Sequence, residues 1–323
     1  MREVAFIKQN KEKWLEFEQA IFGKAKKNPD EIASLYIHLV NDLSYAQTYY
    51  PKSKTVIYLN HLAALTYQKI YKTKREETNR VAYFFKTEVP LIVYNNRRYV
   101  LYAFIMFFIF TAIGVLSASK DENFVRVILG DEYVNMTLKN IDEGNPVAVY
   151  KSGGSVGSFI GITLNNLKVG AYMFIFGITG GIMTMYFLFQ NAVMLGSFQY
   201  FFYEKGVFWE SVRGIWIHGC MEIFGMVMEC AAGLIFGAAL LFPKTFSRVE
   251  SLKTGFKSGL KIWVSTLPFT FAAGVLEGFV TRYSPDMPRV LNIAIILITL
   301  AAITYYYLIY PYKVNKRIAQ PAK

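Results

Sequence analysis

Charge is scarce in this sequence, and cysteine and histidine are scarcer still. Charged residues are 18 % of the 323, while apolar residues are 54 % and aromatics 17 %. A soluble protein of this length needs more charge to coat its surface, so a single water-soluble globule is excluded. The same apolar excess excludes intrinsic disorder. The two cysteines, Cys220 and Cys230, both lie inside an apolar segment. There is therefore no disulfide framework, no Cys-x-x-Cys pair and no zinc-type Cys/His spacing. Residues 1–10 are charged and hold no apolar run longer than the four residues Val4–Ile7. A cleavable signal peptide is not expected, and the first apolar segment is expected to act as the insertion signal.

What charge there is collects at the start. Residues 1–98 hold 17 Lys/Arg and 10 Asp/Glu, whereas residues 169–203 contain no charge at all. The sequence therefore predicts an all-α protein. A soluble helical bundle (1–98) is followed by a polytopic membrane helix bundle (99–312) and a basic tail (313–323). In the first part Ile32, Leu35, Tyr36, Leu39, Leu43 and Ala46 form one apolar stripe at helical spacing. Asn28-Pro29-Asp30-Glu31 ahead of it supplies an N-cap, a proline at the first helical position and an acid at N3. An earlier helix carries Trp14, Phe17 and Ile21. A later one carries Val56, Leu59, Ala63, Tyr67 and Ile70, and residues 71–80 are expected to continue it. Three such helices make a small antiparallel bundle. Its surplus positive charge comes without a nucleic-acid recognition motif, so attraction to an anionic membrane surface is the expected role and no nucleic-acid partner is expected.

Five apolar segments follow, at about 99–117, 169–203, 214–242, 262–281 and 290–312. Each is long enough to span a bilayer at ~1.5 Å per residue. Arg97-Arg98 ahead of the first predicts a cytoplasmic N-terminus, and residues 118–168 are expected as an extracytoplasmic loop. The 169–203 run is long for one crossing, and Gly180-Gly181 and Gln190-Asn191 are candidate breaks. The last segment finishes in Tyr305-Tyr306-Tyr307, expected as an interfacial aromatic belt. Five simple crossings would leave Lys244, Arg248, Lys253, Lys257, Lys261, Lys313, Lys316 and Arg317 outside, against the positive-inside rule. A re-entrant 214–242, or a double crossing by 169–203, returns all of them to the cytoplasm. A cytoplasmic C-terminus is the favoured outcome.

The polar residues inside these segments are the candidate site. Glu222 and Glu229 follow His218 at offsets of 4 and 11. At about 100° per residue they fall roughly 40° and 20° from it, on one helix face with Gly219 and Gly225 nearby. A charge at a helix centre costs about 2.5–3.5 kcal/mol, so such groups face protein or water. Glu277 is the natural partner from another segment. Three readings compete: interhelical hydrogen bonding that fixes the packing, a proton or cation path, and a metal site. The first is favoured, because close-packing glycines accompany it. The third is the weakest, because a zinc-protease motif requires a second histidine where Glu222 stands. No metal and no cofactor are expected. Lys151-Ser-Gly-Gly-Ser lacks the phosphate-loop pattern and reads as a turn, Asn135-Met-Thr is a chance-level glycosylation acceptor, and Asn165-Asn166 are expected to cap the second segment.

An ordered set of motifs resembles the stage II sporulation protein M family of bacterial and archaeal membrane proteins. It begins with Asp42-Leu43, Tyr50-Pro51 and Leu59-Asn60, continues through Asn165-Asn166 and Asn191 with Leu195-Gly196, and reaches Ile217-His218-Gly219 with Glu222. Ala231-Ala232-Gly233-Leu234, Phe242-Pro243 with Arg248, and Glu277-Gly278-Phe279 with Thr281 complete it. The wording is most similar to the long form of Bacteroidetes-type bacteria, with a cytoplasmic N-terminal extension. The resemblance implies a non-enzymatic multi-pass scaffold of the bacterial inner membrane that organises cell-envelope partners. These would be peptidoglycan-remodelling enzymes or an AAA-type ATPase, with the lipid bilayer around it and a homo-oligomer compatible with it. At Glu229 the resemblance implies a small residue, so that glutamate is a departure.

Overall fold

The computed structural model describes residues 2–22, 29–71, 79–146, 148 and 154–320. It is helical throughout, with no strand among the described residues. The chain divides into two compact units, Met1–Thr78 and Asn79–Lys323. Several expectations lie outside the described residues: the Asn28 cap, the continuation through 72–78, the Lys151-Ser-Gly-Gly turn, and the side chains of Ile21, Ile32, Tyr67 and Ile70.

The N-terminal unit contains α1 (Glu3–Phe22), α2 (Pro29–Tyr49) and α3 (Lys54–Tyr71). Its core joins Phe6, Trp14 and Phe17 of α1 to Leu39, Leu43 and Ala46 of α2 and Leu59, Leu62 and Ala63 of α3. Of the stripe read from the sequence, Leu39, Leu43 and Ala46 are buried and Leu35 and Tyr36 are half-buried against them. The Trp14 indole N–H donates to Asp42 Oδ2 at 2.9 Å, which satisfies the one polar group that burying a tryptophan brings inside.

The second unit starts earlier than the sequence boundary at 98. Its first stretch is α4 (Arg80–Tyr83), a π-helical turn (Phe84–Glu88) and α5 (Val89–Asn95). Val89 and Val93 are buried in the core of the apolar bundle. Glu88 pairs with Arg80 at 3.0 Å and accepts from Lys261 Nζ at 2.6 Å. These contacts tie 80–95 to the membrane part.

Next come α6 (Arg97–Lys120), α7 (Glu122–Leu129) and α8 (Asp131–Asp142), then α9 (Ser155–Ile175), α10 (Ile182–Glu204) and α11 (Phe208–Leu241). α12 (Arg248–Val275) leads into a second π-helical turn (Leu276–Val280). α13 (Arg289–Thr304) leads through a third (Tyr305–Ile309) into α14 (Tyr310–Ala319). Among the described residues, five helical stretches are long and apolar enough to cross a membrane: Arg97–Lys120, Ser155–Thr179, Phe208–Leu241, Arg248–Tyr283 and Arg289–Ala319.

The charge-free run 169–203 falls on two helices. Gly180 and Gly181 hold φ of 73° and 90°, backbone that glycine alone adopts freely. They reverse the chain, and Thr184 Oγ1 of α10 then donates to the Met173 carbonyl of α9 at 2.8 Å. Gln190-Asn191 is no break, since α10 runs through it. The 214–242 segment is one continuous helix and not a re-entrant hairpin. Asn165 and Asn166 lie in mid-helix and not at a cap, because α9 begins at Ser155.

α11 is the central post and touches α6, α9, α10, α12 and α13. In its apolar window 67 % of residues are buried, against 22 % for α6 and for α9. A helix that is apolar all round and buried all round belongs at the centre of the bundle. The others present one side outward. α6 and α10 pack with backbones almost touching, so that a Cβ on Gly196 would meet the Thr111 carbonyl and one on Gly114 the Val193 carbonyl. Without a hydrophobic drive between helices in lipid, small residues of this kind let them associate. The tyrosine triplet is no uniform belt. Tyr305 is exposed, but Tyr307 is buried and its hydroxyl lies 2.9 Å from Ser265 Oγ.

Candidate functional site

Inside the second unit a chamber of about 620 Å³ opens between α9, α10, α11 and the end of α12. Ile128, Leu129 and Tyr133 of α7 and α8 form its rim. Burial pushes the Tyr133 phenol above its ordinary pKa. It stays an uncharged hydrogen-bonding group there. A volume of this size is in the range that ligand pockets occupy, about 300–1,000 Å³.

Most of the polar residues singled out from the sequence meet on its wall. His218, Gly219 and Glu222 come from α11, Asn165 and Asn166 from α9, Asn191 from α10, and Glu277 from the π-helical turn after α12. A π turn shifts the register by one residue and recurs at functional positions. His218 is buried, in a helix that begins at Phe208.

The central contacts are few and specific. His218 Nδ1 lies 2.9 Å from Thr281 Oγ1. His218 Nε2 faces Glu277 Oε2 at 3.7 Å. Asn166 Nδ2 donates to Glu222 Oε1 at 2.6 Å. One donor atom from each of His218, Glu222 and Glu277 lies within 4.8 Å of the other two.

Glu229 separates from this group. It shares the face of α11, but seven residues beyond Glu222 is about 10 Å along the axis. There it is buried against α9 and α12, with Thr266 Oγ1 donating to Glu229 Oε1 at 2.8 Å. Its carboxyl fills the space that a side chain on Gly170 would need. Gly278 lets α12 meet α9, since its Cβ would stand 2.9 Å from Phe159 Cβ. Pro243 and Arg248 belong elsewhere: Pro243 lies in the turn between α11 and α12, where its carbonyl accepts from Phe246 N at 3.1 Å, and Arg248 is the exposed first residue of α12. Thr266, Tyr133 and Gly170 escaped the sequence reading. A lone Thr or Gly in an apolar run carries no signal until its helix is placed.

The family described as Stage II sporulation protein M matches residues 103–282, more than half of the chain and the whole of the chamber. The protein belongs to the stage II sporulation protein M family. The described Domain of unknown function (DUF8413) matches residues 4–72, inside the N-terminal unit. No curated protein and no solved structure matches the chain.

Proposed function

We propose that this membrane protein is a non-enzymatic scaffold of a bacterial inner membrane, with six crossings and both termini in the cytoplasm. The observation that carries the reading is the agreement between helix reversals and charge. With α10 as a sixth crossing beside the five long apolar helices, Arg97-Arg98, the 244–261 basic stretch and Lys313, Lys316 and Arg317 share one side. That satisfies the positive-inside rule. α7 and α8 with their acidic residues then face outward. A separate helical unit, 1–78, carries a core of its own and supplies a cytoplasmic docking module. The partners are envelope membrane proteins, with peptidoglycan-remodelling enzymes on the outer side and an AAA-type ATPase on the inner. Gentle detergent extraction with partner identification tests this. A stoichiometric envelope partner supports it, and the protein alone under every condition counts against it.

The chamber favours one second reading, a proton- or cation-linked transporter using His218, Glu222 and Glu277. Ionisable groups inside a bundle mark ion paths as well as packing contacts. Reconstituted vesicles decide between the two. Flux abolished by Glu222→Gln supports transport, and vesicles without pH- or ion-driven flux remove it.

A further inference from the structure

The structure assigns a single divalent transition-metal site to His218, Glu222 and Glu277, at the inner wall of the chamber. This goes beyond the scaffold reading and does not depend on it. The separation of 3.7 Å between His218 Nε2 and Glu277 Oε2 is too long for a hydrogen bond. It suits two ligands of one ion, because donors held at about 2.0–2.2 Å from a common centre stand a little over 3 Å apart. Glu222 follows one turn after His218, so the two side chains point at the same place from one helix. Glu277 closes the set from the opposite wall.

Two of the three ligands, His218 and Glu222, already have an outer partner of the kind metal sites use. With Thr281 at Nδ1 (2.9 Å), the ring is held so that Nε2 points at the carboxyl pair. Asn166 holds one oxygen of Glu222. Such partners fix ring tautomer and carboxylate orientation and raise ligand affinity. The chamber side of the cluster is left for water or a further ligand. Three protein ligands with an open position is the arrangement of reactive sites, and closed sites use four.

The donor set also selects the ion. One imidazole and two carboxylates suit Zn²⁺ or Mn²⁺. Ca²⁺ and Mg²⁺ prefer sets made wholly of oxygen. Cys220, which would favour softer ions, is not among the donors of this cluster. Bound there, the ion joins α11 to the turn after α12.

The test uses the full chain in detergent, stripped with a chelator, equilibrated with Zn²⁺ or Mn²⁺ and desalted. Wild type and Glu229→Gln are expected to retain about one ion per chain and to unfold at higher temperature with it than without. His218→Asn, Glu222→Gln and Glu277→Gln are expected to lose on the order of tenfold or more in affinity. Should those variants fail to fold, X-ray absorption at the zinc edge reads the wild-type ligands directly. One imidazole with oxygen neighbours is the expected spectrum. Sulfur ligands, no retained ion with either metal, or retention unchanged in folded variants would each overturn the assignment.

Discussion

Gly170 of α9 and the carboxyl group of Glu229 on α11 occupy one another's space: any side chain at position 170 would stand where that carboxyl lies. The large polar residue and the missing side chain are two halves of one contact. This explains how a glutamate is accommodated at a position where the family resemblance implies something small. It also makes a stability experiment. Gly170→Ala is expected to destabilise the bundle by about 1–3 kcal/mol, the usual cost of overpacking. Adding Glu229→Ala should recover part of that loss. Equal melting temperatures for wild type and Gly170→Ala in detergent would show that the helices are not this close.

Glu229→Gln should be nearly silent, because the amide oxygen still accepts from Thr266. Glu229→Leu removes the interhelical acceptor of Thr266, leaving its hydroxyl only the Trp263 carbonyl of its own helix at 2.7 Å, and sets an apolar branch against Gly170. A loss of about 1–3 kcal/mol is expected. Thermal unfolding of the pair checks the order, Gln above Leu.

The same logic applies across the chamber in the chelated, metal-free protein. Glu222→Gln keeps an oxygen for Asn166, whereas Glu222→Leu removes the acceptor of a half-buried amide. Only the second should lower the melting temperature, by the equivalent of about 1–3 kcal/mol. Equal tolerance of both would mean that the Asn166–Glu222 bond holds nothing together.

Cysteine labelling in intact cells reads the orientation. Cys220 and Cys230 are buried, so background modification by a membrane-impermeant maleimide should be low. Asn135→Cys on α8 is expected to label from outside and Lys253→Cys on α12 only after the membrane is opened. The reverse pattern would invert the bundle, and labelling of both from outside would break the six-crossing arrangement.

Much of this fold was legible in the sequence because membrane helices write themselves as uncharged runs and the N-terminal bundle as a heptad-like stripe. Leu39, Leu43 and Ala46 were named from spacing and are buried. What composition could not show was where a run divides. Two adjacent glycines in 169–203 can be a packing surface or a turn, and only their left-handed backbone makes them the turn. The site was half legible. His218, Glu222 and Glu277 stood out because ionisable groups are rare in apolar segments. Periodicity gives an angle and no depth, so it placed Glu229 in the same group although helix rise carries it to a different layer. Asn166 and Thr281 stood among the family motifs, but their partners, Glu222 and His218, became evident only once α9 and the turn after α12 were in place.

The scaffold reading meets its most direct test in cross-linking within native membranes, followed by gentle extraction and quantitative mass spectrometry. The account expects one or more envelope membrane proteins in constant ratio to this chain, with recovery of a cytoplasmic partner lost when residues 1–78 are deleted and the remaining unit still inserts. Recovery of the chain alone at every cross-linker dose, together with ion flux in reconstituted vesicles that Glu222→Gln abolishes, would contradict it.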